Sequence, residues 1–340
     1  MMMVSVIVPC RNEARYIARC LDSIVAGDYP AEQLEVLVVD GRSEDGTRAI
    51  IEEYSRRHPV VRLVDNPQRT TPVALNLGIR AARGDVLVRM DAHVEYPSSY
   101  VPSLVATLLE TGADNVGGVL ITRPANETAI ARAIATAMAH PFGVGNSHFR
   151  IGIREPRWVD TVPFFCCRRE VFDRVGLFDE ELTRHQDGEF NARLIQRGGR
   201  ILLVPHVVSY YYARSSLRQL VRQCYQYGTF KPLVARKLGR VMTLRQLAPP
   251  SLVLTLAVTA LLSPWVPAAR VVCAATAAAY LIALLGFSVG AVRRTGLRGV
   301  VSLATVFPVM HFSYGFGFLR RTIELALGST RRYAQLPLSR

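Results

Sequence analysis

The chain has 340 residues, half of them hydrophobic, and a formal net charge of +14. This length allows about two domains. The positive mean hydropathy indicates that part of the chain lies outside water, which excludes a wholly soluble protein. No C-x-x-C pair occurs, so the cysteines predict reduced thiols and no zinc site; they are Cys10, Cys20, Cys166, Cys167, Cys224 and Cys273.

The positive charge is concentrated in the second half of the chain. Asp and Glu are absent from Phe190 to Ile323, whereas Arg and Lys recur there as far as Arg245. Such a surface binds either nucleic acid or anionic lipid. Because the basic stretch ends just before a long apolar segment, we expect contact with membrane lipid and none with nucleic acid.

The first part of the chain alternates predicted strands and helices. Short β-branched runs predict strands at Val4–Pro9, Leu34–Val39, Val60–Val64 and Asp85–Met90. Helical spacing predicts helices at Asn12–Val25, Thr47–Arg57 and Pro72–Ala82. This alternation implies right-handed βαβ crossovers and a mostly parallel sheet.

The pattern is more mixed between Pro97 and Tyr212. It predicts helices at Ser98–Thr111, Arg169–Val175 and Gly188–Gln196, and strands at Val116–Ile121, Thr161–Cys167 and Ile201–Pro205. Three apolar stretches follow Leu247, at Ser251–Leu262, Val271–Val289 and Gly299–Leu319. The last two approach the ~20 residues that span a bilayer. The first does so only if extended past Pro249 or Pro264, and a hydrophobic hairpin buried in protein is the alternative.

The basic residues predict how these stretches are oriented in the cell membrane. The basic run before residue 247 and the loop Arg293–Arg298 should be cytoplasmic, as should the catalytic domain. One hairpin satisfies this rule. A third crossing would place Arg320, Arg321, Arg331 and Arg332 outside, against the rule, and both two and three crossings stay open.

Acidic residues end two of the predicted strands. Asp91 ends the run Val86–Met90, and His93 follows on the same side, so the two side chains can share a divalent metal that clamps a diphosphate. Asp40 ends an earlier strand and can accept hydrogen bonds from a base or a ribose. Neither G-x-G-x-x-G nor a P-loop occurs, so a bound metal must neutralise the diphosphate.

Three motifs occur in order along the chain, at Pro9–Glu13, Val39–Thr47 and Met90–His93. Together they resemble the family 2 inverting glycosyltransferases, which have a GT-A fold. The overall layout looks most like the ExoA-type succinoglycan enzymes, on the basis of Asp91-Ala92-His93, the runs Gln186–Glu189 and Arg222–Gly228, and the C-terminal apolar segments. The resemblance covers about the first 210 residues. It implies a Rossmann-like, mostly parallel α/β domain followed by transmembrane helices.

The resemblance also implies roles for individual residues of the donor site. Pro9, Arg11 and Glu13 line the nucleotide pocket, Asp40 meets the base, and the loop that contains Arg69 lies near the donor. Asp91 and His93 occupy the D-x-D position, which handles the metal and the donor diphosphate. The family usually has an acid where His93 stands, so either Mn²⁺ is favoured over Mg²⁺, or His93 contacts phosphate and leaves Asp91 as the protein ligand.

The same resemblance makes Asp187 the catalytic base, although Gln186 replaces the acid that usually precedes it. A role as a simple helix cap is the alternative for Asp187, and Glu189 is the alternative base. Secondary candidates are Asn76 and Arg80. A further set either holds the leaving diphosphate or the acceptor, or packs at the lipid interface; it consists of Arg222, Gln223, Gln226 and Tyr227.

These features predict an inverting transfer from a nucleotide diphosphate sugar to a polyprenyl-linked acceptor, with a UDP-sugar favoured over a GDP-sugar. The expected organisation is a GT-A domain at residues 1–212, basic interfacial helices at 213–247, membrane helices at 248–320 and a basic tail at 321–340. One alternative is a polyprenyl-phosphate sugar synthase, whose phosphate acceptor needs no base. The other is a non-catalytic basic membrane protein that binds nucleic acid.

Overall fold

The computed structural model describes residues 2–241 and 243–328, with only the backbone for residues 292–298. Within this part of the chain, nine strands form one sheet: β1 (Val4–Cys10), β2 (Leu34–Asp40), β3 (Val61–Asp65), β4 (Val86–Arg89), β5 (Val94–Glu95), β6 (Asn115–Arg123), β7 (Arg157–Trp158), β8 (Cys166–Arg168) and β9 (Ile201–Tyr212). Their order is β3-β2-β1-β4-β8-β6-β9-β5, and β7 pairs with β9.

The helices of the first 200 residues are α1 (Ile17–Val25), α2 (Thr47–Arg57), α3 (Thr71–Ala81), α4 (Tyr100–Thr111), α5 (Ala129–Met138), α6 (Pro141–Val144), α7 (His148–Ile151), α8 (Arg169–Val175) and α9 (Gln186–Gln196). Those that follow are α10 (Leu217–Leu238), α11 (Ala248–Leu262), α12 (Pro267–Gly290) and α13 (Val292–Ala326). Short 3-10 turns lie at Ala31–Gln33 and Leu244–Leu247.

The four strands predicted at the start of the chain form the parallel half of the sheet. β1 lies between β2 and β4, and β3 pairs with the outer edge of β2, all parallel. The side chains of β1 and β2 are almost all buried, as expected for strands covered on both faces. The register places Cys10 beside Asp40, so the carboxyl ends of β1 and β2 meet at one edge. β8 joins β4 antiparallel, so the predicted parallel strands form one half of a mixed sheet.

The predicted start of α1 was wrong, because tertiary contacts hold the residues before it in a loop. Asn12 adopts a positive φ of 55°, which the helix cannot contain. The backbone N–H groups of Asn12 and Glu13 donate to Ser43 Oγ and Thr47 Oγ1, each at 2.8 Å. Ala14 N–H likewise donates to Asp45. The loop after β1 is therefore tied to the loop after β2, and the helix begins only at Ile17.

The chain divides into two compact units. The first contains residues Met1–Ile121 and His148–Tyr211, and the second contains Thr122–Ser147 together with Tyr212–Arg340. The sequence did not predict α5, α6 or α7, and it placed the whole stretch up to residue 212 in one domain. The contacts instead group α5 and α6 with the C-terminal helices.

The second unit contains, in the part described, three helices long and apolar enough to cross a membrane. Their apolar segments are Leu244–Leu262, Pro267–Gly290 and Gly299–Ala326. The predicted loop at residues 293–298 is wrong, because α13 already begins at Val292. α10 and α13 approach closely at glycines: a Cβ added to Gly228 would overlap the backbone oxygen of Tyr314, and one added to Gly317 would overlap that of Tyr225.

Candidate active site

A buried arginine joins two carboxylates at the end of β4. Arg89, the last residue of β4, is 4% exposed. Its Nε and Nη2 donate to Asp91 Oδ1 and Oδ2 at 2.8 and 3.2 Å, and its Nη1 donates to Asp187 Oδ1. The structure therefore brings together the two acids predicted for donor binding and base catalysis, which lie 96 positions apart.

Asp187 lies in the first turn of α9, two positions after a strained residue. His185 precedes the helix with a left-handed φ of 63°. Burial is the largest influence on the Asp187 carboxyl and raises its pKa to about 6; the Arg89 guanidinium opposes this rise and the negative charge of Asp91 adds to it. A quarter of the side chain stays accessible. The N-cap position of α9 belongs to His185, which makes no capping bond with its side chain, and the Asp187 carboxylate accepts from its own backbone N–H.

Arg89 remains charged in this setting. Burial alone lowers the pKa of Arg89, but the charges of Asp187 and Asp91 more than offset that effect, so the net shift is upward. The backbone N–H of Asp91 donates to the Tyr96 hydroxyl at 2.6 Å, which fixes the turn beyond β4. Neither Arg89 nor Tyr96 was singled out from the sequence. An arginine within a run of buried apolar strand residues was the available signal, because such residues are rarely buried unpaired.

His93 and Glu13, predicted for the metal and the nucleotide pocket, contact each other. His93 Nδ1 lies 3.1 Å from Glu13 Oε1. The side chains are 19% and 8% exposed, respectively. The His93 ring also packs edge-on against Tyr211 of β9, with centroids 5.7 Å apart. Glu13 thus reaches the loop after β4 from the loop after β1.

Asp40 is buried at the end of β2 and holds the following loop together. Its carboxylate accepts from Ser43 Oγ at 2.5 Å and from the Ser43 backbone N–H, and Arg48 Nη1 lies 3.6 Å away. The Asp40 side chain is fully buried. Its predicted contact with a base stays a prediction.

The remaining donor candidates lie in the loops after β1 and β3. The aliphatic part of Arg11 lies against Gly41, where a Cβ would come within 3.2 Å of it. Arg69 Nη1 lies 3.4 Å from Glu44 Oε1. Arg69 has a positive φ of 61° and Arg42 one of 54°, so strained non-glycine backbone recurs in the loops after the parallel strands.

Several alternatives from the sequence have structural roles. Both oxygens of Glu189 accept from Arg193, which also donates to two backbone carbonyls. The amide of Asn76 bonds the backbone of Phe178 in both directions. Asp45 bonds the Thr47 backbone and hydroxyl. These contacts favour Asp187 over Glu189 as the base.

The four α10 candidates belong to the second compact unit. Gln223 and Gln226 are buried at 2% and 5% exposure, whereas Arg222 is exposed. Gln223 Nε2 lies 3.2 Å from the Tyr227 hydroxyl. Buried amides need hydrogen-bond partners, which a neighbouring side chain or a bound polar group can supply.

The donor set fits a metal that is shared with phosphate oxygens. Among the described residues, no group of three or more His, Cys, Asp and Glu side chains could enclose a metal ion alone. Mg²⁺-type sites in phosphate-binding enzymes need only one or two protein carboxylates, because the substrate supplies other ligands. The Asp91 carboxylate is 15% accessible, and each of its oxygens accepts one N–H from Arg89, which leaves further lone pairs free to coordinate.

The parallel strands, the acids at their carboxyl ends and the mixed second half of the sheet define a GT-A enzyme, and comparison with known proteins gives the family. The model of the family described as "Glycosyl transferase family 2" matches residues 5–176, just over half of the chain. The chain belongs to this family and is a glycosyltransferase. The predicted family, fold and enzyme class are confirmed, and the alternative of a non-catalytic nucleic-acid-binding protein was wrong.

Individual relatives extend the similarity into the C-terminal helices. The succinoglycan biosynthesis protein ExoA of Rhizobium meliloti is 30% identical, over 94% of both chains. A dolichyl N-acetyl-α-D-glucosaminyl phosphate 3-β-D-2,3-diacetamido-2,3-dideoxy-β-D-glucuronosyltransferase of Methanococcus voltae is 31% identical, over 69% of this chain and 74% of that protein. The mannosyltransferase PcManGT of Pyrobaculum calidifontis, solved with GDP-Man and Mn²⁺, has a similar fold, with a TM-score of 0.58 at 24% identity over 94% of this chain and 87% of that one.

Proposed function

We propose that this glycosyltransferase moves a sugar from a nucleotide diphosphate sugar to a hydroxyl of a lipid-linked acceptor, with inversion at the anomeric carbon. The observation that carries the proposal is the position of Asp187 next to Asp91, bridged by Arg89. A single displacement needs one carboxylate on the leaving diphosphate's side and one for the attacking hydroxyl. This pair meets that need.

Asp187 acts as the general base. A sugar hydroxyl has a high pKa and must lose its proton as it attacks. A carboxyl whose pKa is raised to about 6 is a stronger base than an ordinary carboxylate and is still mostly ionised at neutral pH. The proton moves to Asp187 while the new bond to the anomeric carbon forms. The bond from that carbon to the diphosphate breaks on the opposite face, which inverts the centre.

The donor lies along the carboxyl ends of the parallel strands, where α/β folds bind their ligands. We assign Pro9, Arg11 and Glu13 to the nucleotide pocket, Asp40 to the base end and Arg69 to the loop over the donor. These assignments rest on the family resemblance and on the positions of the loops after β1, β2 and β3. We propose a UDP-sugar as the first candidate for the donor and a GDP-sugar as the second.

Asp91 and His93 are the residues that would hold a divalent metal. Bound there, Mn²⁺ or Mg²⁺ would neutralise the diphosphate and stabilise the leaving nucleoside diphosphate. The Mn²⁺ in the solved PcManGT complex supports a metal in this fold, and the imidazole of His93 favours Mn²⁺ over Mg²⁺. Glu13 beside His93 would orient the imidazole by accepting from its Nδ1–H.

The acceptor is a polyprenyl-linked saccharide at the cytoplasmic face of the cell membrane. The name of the Methanococcus relative describes a dolichyl N-acetyl-α-D-glucosaminyl phosphate acceptor, which is a lipid-linked sugar, and ExoA is named for succinoglycan biosynthesis. These names support a lipid carrier and an exopolysaccharide or other cell-surface product. The three apolar helices and the basic residues before them support a multi-pass membrane protein with a cytoplasmic catalytic unit. We assign Arg222, Gln223, Gln226 and Tyr227 to the acceptor or the leaving diphosphate.

A polyprenyl-phosphate sugar synthase is the second candidate. This candidate is supported by a relative of Pseudomonas savastanoi, an undecaprenyl-phosphate 4-deoxy-4-formamido-L-arabinose transferase. That protein is 28% identical over 54% of this chain. Its phosphate acceptor is already anionic and needs no base. Turnover of polyprenyl phosphate that does not depend on Asp187 would identify this reaction.

Nucleoside diphosphate release from a panel of UDP- and GDP-sugars tests the proposal. Each donor is supplied with Mn²⁺ or Mg²⁺ and membrane lipid extract, and wild type is compared with Asp91→Ala. Release from one donor that needs both the metal and Asp91 is the expected result. Metal-independent release, or full release by Asp91→Ala, would contradict the donor-site assignment.

A further inference from the structure

Arg89 places a charged side chain in the parallel half of the sheet. Both of its neighbours in sequence are apolar and buried. Val88 and Met90 are 0% and 1% exposed, and Arg89 itself is 4% exposed. A buried guanidinium is unfavourable unless charged groups pair with it. We propose that Arg89 is a positioning residue that holds Asp91 and Asp187 in one fixed geometry, so that donor and base are placed together. This inference rests on the roles proposed above for the two acids.

The shape of the guanidinium explains why a single residue can do this. Arg89 and Asp91 are two positions apart at the end of a strand, so their side chains point to the same side. Nε and Nη2 donate hydrogen bonds to the two carboxylate oxygens of Asp91, and Nη1 donates one to Asp187. The fork is planar and rigid, and therefore fixes the angle between the two carboxylates as well as their separation.

The surroundings restrict the guanidinium further. Its carbon lies 5.6 Å from the centroid of the Phe164 ring, so an aromatic side chain contacts the group that the carboxylates hold. The positive charge also offsets the repulsion between Asp91 and Asp187. Lysine has a single charged nitrogen on a flexible stem, so it can stay next to Asp91 without bridging to Asp187.

Arg89→Lys is the informative variant, and Arg193→Lys is its matched control. Arg193 is also a forked arginine with two kinds of partner: it pairs with Glu189 and donates to the carbonyls of Val175 and Leu177. We expect Arg89→Lys to lower kcat by about tenfold to a hundredfold. The donor KM should change by less than about fivefold. Arg193→Lys should lower the melting temperature while kcat stays within about threefold of wild type.

A double-mutant cycle separates positioning from a general loss of folding. If Arg89 acts through Asp187, adding Arg89→Lys to Asp187→Asn should lower the residual kcat by no more than about twofold. Losses that simply multiply would overturn the inference, as would a kcat of Arg89→Lys equal to that of wild type. If Asp187→Asn itself turns over normally, the failure lies instead with the proposed base.

The variant Asp187→Glu also tests whether Arg89 fixes the position of the base, and it leaves the buried arginine unchanged. It keeps a carboxylate but moves it by one methylene relative to the fork. We expect a loss of kcat of about tenfold or more, with nucleoside diphosphate binding in Mn²⁺ close to wild type by calorimetry. Wild-type turnover by this variant would show that the geometry is not fixed and would overturn the role of Arg89.

A second observation, independent of the active site, concerns α13. More of its residues are buried by the rest of the protein than in the other two apolar helices. In an apolar 18-residue stretch of Gly299–Ala326, 39% of the residues are buried, against 11% in the corresponding stretches of α11 and α12. α10 provides part of this cover. Gly228 of α10 lies against the Tyr314 backbone, Gly317 of α13 lies against the Tyr225 backbone, and Arg320 Nη1 donates to the Tyr225 hydroxyl at 2.8 Å.

The charged side chains of α10 limit how deeply the adjacent part of α13 can lie in the membrane. Exposed basic side chains lie along α10 at Arg218, Arg222, Arg236 and Lys237, and such groups are excluded from the hydrocarbon. The α13 residues that contact α10 at Tyr314, Gly317 and Arg320 are therefore also outside it. The apolar part that remains, residues 299–313, is about 22 Å long, shorter than the ~30 Å hydrocarbon core. The apolar segments Leu244–Leu262 and Pro267–Gly290 have 19 and 24 residues, which correspond to about 28 and 36 Å of helix.

We infer that α13 lies at the cytoplasmic interface beside α10 and that α11 and α12 make the two crossings as a hairpin. The hairpin has apolar side chains exposed along both legs, including Leu261 at 69% and Ile282 at 73%. Trp265 at its tip is 74% exposed, as expected for an aromatic residue at the opposite interface. This inference depends on the membrane placement proposed above, but not on any catalytic assignment.

Reporter fusions to the full chain in a bacterial inner membrane test this topology. Green fluorescent protein, which fluoresces only in the cytoplasm, and alkaline phosphatase, which is active only outside, are each fused before Met1 and after Arg340. We expect both ends to report the cytoplasm. Alkaline phosphatase activity at the second position, with a cytoplasmic first position, would mean three crossings and overturn the inference. If the first position reports the outside, the proposed orientation fails instead.

Discussion

Acidification should switch off the enzyme through Asp187. Burial raises the pKa of this carboxyl to about 6, and the base acts only when it is ionised. Its ionised fraction is then about nine-tenths at pH 7, one half near pH 6 and about one-tenth at pH 5. We therefore expect kcat/KM to be level above about pH 7 and to fall about tenfold per unit well below pH 6.

The variant Asp187→Asn measures how much the general base contributes to the rate. Removing a general base typically lowers the rate by about 10²–10⁴-fold, which corresponds to roughly 3–5 kcal/mol of barrier. The assay is nucleoside diphosphate release at constant ionic strength between pH 5 and 8 with saturating metal, paired with detection of the glycosylated lipid. Donor binding by calorimetry should stay within about threefold of wild type, because Asp187 contacts neither the nucleotide nor the metal in the proposed mechanism.

The pH dependence of the residual activity of Asp187→Asn tests whether Asp187 causes the acid limb. If Asp187 causes the acid limb, the variant's slow rate should be independent of pH over the same range. An acid limb of the same midpoint in the variant would assign it to another group. A variant rate near that of wild type would remove Asp187 from the mechanism.

Three further predictions concern the metal, the alternative base and the helix contact. His93→Ala should raise the Mn²⁺ concentration for half-maximal turnover by about tenfold or more; an unchanged Mn²⁺ requirement would remove His93 from the metal site. Glu189→Gln should lower the free energy of unfolding by about 1–3 kcal/mol, measured by thermal melting, because it weakens the pair with Arg193, while kcat stays within about threefold of wild type. Gly228→Ala should lower the melting temperature in detergent, because a Cβ there meets the Tyr314 backbone, whereas Gly286→Ala, which has open space, should leave it unchanged or raise it; equal effects would contradict the close α10–α13 contact.

The sequence predicted the parallel half of the sheet well, because the signal there is local. Buried parallel strands are continuous β-branched runs, and the predicted and observed bounds of β1, β2 and β4 agree within one or two residues. The helix predicted at Thr47–Arg57 is α2, with identical bounds. Asp40 and Asp91 could be placed at strand ends for the same reason. The ordered motifs then predicted the family, which the comparison confirmed.

Elements held by distant contacts were predicted less well. The start of α1 depends on bonds to Ser43 and Thr47 that helical spacing cannot reveal. β9 continues past Pro205 to Tyr212 because it pairs with the short strand β5, a partner that the sequence did not predict. Helix α13 extends across the predicted loop at residues 293–298. In the first two cases a tertiary contact outweighed a local preference.

By itself, the sequence determined which residue types stand at the strand ends and where the chain becomes apolar, because both follow from periods of a few residues. Only the tertiary structure decided that Asp91 and Asp187 meet. That meeting requires the packing of α9 against the sheet and a guanidinium on β4 long enough to reach both acids. It likewise decided that α13 is partly enclosed by α10, since glycine contacts between helices almost 90 residues apart leave no periodic trace in either segment.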